Sequence, residues 1–255
     1  MVWKIVAASV QGSGHIDGGS PCQDASAYVD IGEVFVAAVC DGAGSYKYSQ
    51  RGALHGVTIV PNLRRRLLAS GGGELTSEAD FHTLVVDAIV DVRAALSVDS
   101  VKHSGTISDY HATMLGCVFS TLRGGFFFHI GDGVGLALEA ETHHVQAVSP
   151  PENGEFAEQT FFYTEDHWRK HLRLTPIPAG ADLITLMSDG AMAFAVRPNL
   201  NAVDPGFLPP VTRFLSQPEV TTKTGTRALA ETLSSPGACE VTKDDKTLIW
   251  SRWIS

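Results

Sequence analysis

Six consecutive apolar residues, Phe35 to Cys40, run straight into Asp41-Gly42-Ala43-Gly44, and the chain repeats that ending. FFFHI (126–130) leads to Gly131-Asp132-Gly133, and LITLM (183–187) leads to Ser188-Asp189-Gly190. A last apolar run, TLIWSRW (247–253), is preceded by Lys243-Asp244-Asp245-Lys246. Three strands thus end at an aspartate and one begins with it. In antiparallel neighbours the end of one strand and the start of the next share an edge, so the four aspartates can converge on one point. Converging carboxylates repel one another, the more so away from water, and unless several are protonated they need cations. Oxygen ligands without His or Cys select hard ions such as Mg2+ or Mn2+. The flanking glycines let a backbone carbonyl turn toward an ion with no Cβ in the way. Any one Asp-Gly after a strand is more simply a β-turn; three of them, with a fourth aspartate at the start of the last strand, favour the metal reading.

The rest of the pattern sets the frame. Residues 2–10 read as a strand, and 33–40 as one buried on both faces. Residues 49–68 read as a helix split by Pro61, with LRRRLL (63–68) its solvated basic end, and GGG at 71–73 as a loop. Ser77, with Asp80 three residues on, caps a helix whose face carries Phe81, Leu84, Val85, Ala88, Ile89, Val92 and Leu96. Strands follow at about 112–121, 125–130 and 134–139, in hairpin order and so expected to pair antiparallel. Residues 142–180 read as an irregular flap with some strand, and its aromatics from Phe161 to Trp168 either shape a substrate groove or pack as core. A strand at 182–188, short helices near 211–216 and 225–234, and a strand at 246–253 complete the chain. Strands at both ends and in the middle, with helical blocks between, give an α+β sandwich of antiparallel sheets with helices outside.

A net charge of −9 argues against nucleic acid or an anionic membrane as partner. No apolar run approaches the roughly 20 residues that span a bilayer, and the N-terminus lacks the basic region of a signal peptide. Cys22, Cys40, Cys117 and Cys239 lie far apart without a CxxC pair, which suits reduced thiols in the cytoplasm.

Pro21-Cys22-Gln23-Asp24, Asp41-Gly42-Ala43-Gly44, Gly131-Asp132-Gly133, Ser188-Asp189-Gly190 and Asp244-Asp245-Lys246-Thr247 resemble, in order, the motif series of the metal-dependent protein phosphatases of type 2C. With Ser13-Gly14-His15 ahead of them, they are most similar to the compact bacterial branch. The resemblance covers essentially the whole chain. It implies a single catalytic domain over 1–255 with a four-layer αββα sandwich, two antiparallel β-sheets flanked by helices. It implies hydrolysis of phosphoserine and phosphothreonine in proteins, the substrates of a cognate kinase, by a cytoplasmic monomer. It also implies a two-metal Mn2+ or Mg2+ site with a weaker third: Asp41 bridging both ions, the Gly42 carbonyl on the second, Asp189 and Asp244 on the first. Asp132, with Asp189, would form the third site, Asp24 would act through bound water, and Asp245 would orient its neighbour. A hydroxide bridging the ions would attack phosphorus in line, with no phosphoenzyme.

Two departures stand out. Relatives often place a phosphate-holding arginine where this chain has Gly19; His15, with Lys47 or Arg51 behind it, is the available substitute. Ala43 stands where eukaryotic relatives carry a histidine thought to protonate the leaving group, so that proton is unassigned. His111 and Thr113 are candidates to line the site, with core packing as the alternative. A fold-retaining regulator without turnover and a hydrolase of small phosphate esters are the competing functions.

Overall fold

The computed structural model describes residues 2–69, 77–152 and 160–254. The glycines at 71–73 and the segment 153–159 inside the expected flap lie outside the described residues.

Among the described residues ten strands, numbered along the chain, form two antiparallel sheets of five. One runs β1 (Val2–Val10), β10 (Lys246–Ile254), β9 (Leu183–Met187), β6 (Val134–Leu138), β7 (Val145–Ser149). The other runs β2 (Asp24–Ile31), β3 (Val34–Asp41), β4 (Met114–Ser120), β5 (Gly124–Ile130), β8 (Arg173–Ile177). Side chains alternate across each strand, and the alternation separates three cores. Phe35, Ala37 and Val39 of β3 point between the sheets, where they meet Ile5, Leu115, Phe127, Ile184 and Ile249. Val36, Ala38 and Cys40 point outward to Leu63, Phe81, Val85 and Ile89. That is why 35–40 is apolar without a break: both faces are covered. On the far side Val6, Leu136, Met187 and Trp250 pack against Leu208, Leu215, Leu229 and Leu233. The result is the expected four-layer αββα sandwich.

The outer layers are α2 (Ser49–Gly56), α3 (Ile59–Ala69) and α4 (Glu78–Lys102) on one side. On the other are α5 (Asp189–Ala195), α6 (Leu208–Leu215), α7 (Thr222–Leu233) and α8 (Pro236–Val241), while the short α1 (Ser13–Gly18) follows β1. Ser77 caps α4, its hydroxyl accepting from the Asp80 N–H at 3.1 Å.

Several expectations need correction. The helix over 49–68 does divide, but at Val57-Thr58; Pro61 sits in the first turn of α3, where a missing N–H costs nothing. Arg65 and Arg66 are not simply solvated: both reach Asp91 of α4, at 3.2 and 2.7 Å. β5 and β6 do not pair as a hairpin; the chain crosses from one sheet to the other between them, through Asp132. The 142–180 segment supplies an edge strand to each sheet, β7 and β8, alongside its irregular part.

Candidate active site

One end of the sandwich gathers the aspartates. Asp41 closes β3, Asp132 lies in the crossing between the sheets, Asp189 opens α5 directly after β9, and Asp244 precedes β10. All four line one cavity of about 560 Å³, together with Gly42, Ala43 and His15. Asp24 stands directly across the β2–β3 ladder from Asp41 and is buried behind it. Sequence reasoning placed these residues together, and the backbone brings them together.

Their electrostatics are unfavourable as they stand. Burial, then the charges of Asp24, Asp189, Asp132 and Asp244, push the Asp41 carboxyl well above the usual carboxylate range. Burial raises Asp24 to about 7, against the hydrogen bonds of Thr247, Ser188 and Asp41, which favour its charged form. Burial, then Asp132 and Asp244, raise Asp189 to about 6. Asp132 is raised by burial too, while Thr160, donating to its Oδ2 at 2.5 Å, works the other way. No described lysine or arginine lines the cavity. Lys246, buried beside it, donates to the Asp244 backbone carbonyl at 2.8 Å.

These residues fit hard divalent cations. The donors are oxygens, and Asp24 Oδ1 and Asp189 Oδ1 are buried with no donor among the described residues. Among the described residues no three His, Cys, Asp or Glu side chains grip one point tightly enough to hold an ion unaided.

Asp245 behaves differently. Its Oδ1 accepts from the Gly12 N–H and its Oδ2 from the Gln23 N–H, both at 2.6 Å, and it is buried. His15 Nδ1 lies 2.8 Å from Oδ2, close but not aligned for a hydrogen bond. One carboxylate thus joins the turns after β1 and before β2 to the start of β10. The backbone closes tightly around it: a Cβ on Gly12 would lie 2.3 Å from Asp244 C, and one on Gly190 2.0 Å from Asp245 O.

Of the three phosphate-holding candidates, only His15 lines the cavity. Arg51 is turned away: its Nε and Nη2 fork onto Asp99 of α4 at 2.8–3.0 Å. Lys47 stands over the Tyr48 ring, 4.8 Å from its centre. The bidentate carboxylate and the aromatic face are better partners for these cations than open solvent.

The aromatic segment divides. Tyr163 and Trp168 are core, whereas Phe162 lines the cavity with Thr113. His111 is buried, its Nδ1 2.8 Å from Thr164 Oγ1 and its ring stacked on Phe162. Sequence reasoning missed four participants. Ser188 Oγ donates to Asp24 Oδ2 at 2.8 Å and accepts from the Thr247 N–H at 3.0 Å; its place in the Ser-Asp-Gly motif was the available signal. Tyr46, only two residues past Gly44, was equally in view. Thr160 had no signal, because it reaches the cavity only through the fold, whereas Glu165 lies inside the 161–168 segment considered as a groove.

A two-sheet sandwich with acidic residues at one mouth and helices on both outer faces defines a recognised class, and the comparisons agree. The family model described as "Protein phosphatase 2C" matches residues 11–234. "Serine/threonine-protein phosphatase 3" of Escherichia coli (strain K12) is 28% identical over 263 aligned positions, covering 99% of each chain. Among solved structures, "Serine/threonine phosphatase Stp1 from Staphylococcus aureus" superposes with a TM-score of 0.62 at 13% identity, over 100% of this chain and 96% of that one. "RsbX in complex with magnesium" superposes with a TM-score of 0.55 at 12% identity, over 98% and 94%. The chain belongs to the protein phosphatase 2C family, whose members are metal-dependent phosphatases.

Proposed function

We propose that this phosphatase hydrolyses phosphoserine and phosphothreonine in proteins, at a site holding two Mn2+ or Mg2+ ions and a weaker third. The observation that carries the reading is Asp41, set among four other carboxylates in a cavity that no described lysine or arginine lines. The names of the Escherichia coli and Staphylococcus aureus relatives support the substrate class, and the magnesium-bound relative supports the ion class.

Asp41, the Gly42 carbonyl, Asp189 and Asp244 hold the two ions, and Asp132 with Asp189 the third. When bound, the ions supply activated water at neutral pH and neutralise charge on the phosphoryl oxygens. Asp24 supports Asp41 from behind. Asp245 fixes Asp244, whose Oδ1 accepts from the Asp245 N–H at 2.8 Å. His15, held near Asp245, directs its ring to the cavity and anchors the phosphate in place of an arginine. Residues 1–255 act as one catalytic unit, a monomer, and the four free cysteines suit a reducing cytoplasm. No described helix is long and apolar enough to cross a membrane.

The test is hydrolysis of para-nitrophenyl phosphate and of a phosphothreonine peptide, with Mn2+ and with chelator, for the wild type and Asp189→Asn. Turnover is expected only with metal, falling at least about a hundredfold in the variant, as expected when a ligand charge is lost. Metal-independent turnover, or full activity in Asp189→Asn, contradicts the reading.

A further inference from the structure

The carboxylates assigned to ions occupy the floor of the cavity, and a different surface forms its wall. Tyr46, Phe162 and Glu165 line the same cavity and none is assigned to an ion. Their arrangement is built rather than incidental. The His111 ring is stacked on Phe162 with centres 4.9 Å apart and a 16° tilt. Tyr46 meets the same imidazole edge-on at 4.5 Å and Phe162 at 6.3 Å. The imidazole is itself held by Thr164, three residues from Phe161 on the same loop. Glu165 Oε2 accepts from the Phe162 N–H at 3.3 Å, so one turn fixes both the ring and the carboxylate. Tyr46 remains 39% exposed.

We infer that this wall is a subsite for a cationic side chain, arginine or lysine, next to the phosphorylated residue of the substrate. The inference rests on the phosphoprotein reading and names the substrate more closely. Aromatic faces attract guanidinium and ammonium groups, and arginine most readily stacks on them. Glu165 adds the opposite charge at the same place. Its charge also repels acidic flanking residues, so the wall discriminates by exclusion as well as attraction. Arg51 is paired with Asp99 and Lys47 stands over the Tyr48 ring, while His167 Nε2 lies 3.6 Å from Glu165 Oε2.

The experiment compares kcat/KM for two phosphothreonine peptides, one with arginine on each side of the phosphoresidue and one with alanine there. Wild type, Glu165→Gln, Glu165→Arg and Tyr46→Ala are measured with Mn2+, each checked for folding by thermal melt. The arginine peptide is expected to be favoured by about tenfold in the wild type, the product of an exposed cation–π contact and an exposed ion pair. The ratio should fall by about threefold in Glu165→Gln and by about threefold in Tyr46→Ala, each leaving the other contact, and invert in Glu165→Arg. Equal rates on both peptides in the wild type, or an undiminished preference in Glu165→Arg, overturn the subsite. Para-nitrophenyl phosphate has no side chain to reach the wall and reports the phosphatase reading separately. Wild-type turnover there with equal peptide rates sinks the subsite alone, and no metal-dependent turnover there sinks the reading beneath it.

Discussion

Adjacent residues at the mouth of the sandwich show two ways of keeping a carboxylate inside a protein. Asp245 is surrounded by donors, with two backbone N–H groups at 2.6 Å and the His15 ring beside them. Asp41 is surrounded by Asp24, Asp132, Asp189 and Asp244. The first charge is balanced from within and serves as a joint between chain segments distant in sequence. The second is crowded by its own kind, the arrangement on which the proposed cation site rests. Hydrogen bonds to a buried charge hold a fold together, whereas buried charges without donors weaken it in exchange for a binding site.

The contrast breaks most sharply under mutation. Asp245→Ala leaves two buried N–H groups without acceptors and is expected to cost about 2–4 kcal/mol of stability, read by urea denaturation. Asp41→Asn should do the reverse in chelator, raising the melting temperature by removing a crowded charge, while abolishing turnover. If both variants destabilise the metal-free protein alike, the distinction fails.

Acidity sharpens the same contrast. Asp24 and Asp189 titrate near 7 and 6 in the fold, against 3.8 for an ordinary aspartate, so the folded state holds protons the unfolded chain has released. Their contribution is fully present below about 4 and is lost as pH rises through 6 to 7. The chelated protein should therefore become less stable between about pH 4 and 7, by up to about 1.4 kcal/mol per unit for each proton released. Saturating Mn2+ should flatten that slope in thermal melts; a rising slope in chelator would contradict the crowding. The smallest effect belongs to His15, which touches both regions. His15→Ala is expected to raise KM for a phosphopeptide by about tenfold, with the Mn2+-induced shift in melting temperature retained. An unchanged KM removes His15 from the phosphate site.

Much of this arrangement was legible in the sequence because it depends on local signals. Apolar runs ending in Asp-Gly marked the strand ends, and the Ser77 cap marked the start of α4. Where strands were missed, the local signal was weak. β2, DASAYVDI, mixes Ser26 and Asp30 into a half-exposed edge strand, and it carries Asp24 opposite Asp41. The crossing after β5 looked like a hairpin because strand order along the chain is the same whether the next strand joins its own sheet or the other. Arg51 looked available because its partner, Asp99, lies 48 residues away on α4. Thr160 joins the cavity by a similarly long route. Periodicity reports which face of an element is buried, but not what covers it.

The tight passage of backbone at Gly12 and Gly190 reaches beyond geometry. Neither residue carries a functional group, yet a single methyl at either would strike the peptide that bears Asp244 and Asp245. In a saturation library scored for turnover, these two silent positions should be as unforgiving as the acids they enclose. An inventory of essential residues drawn from chemistry alone would overlook them.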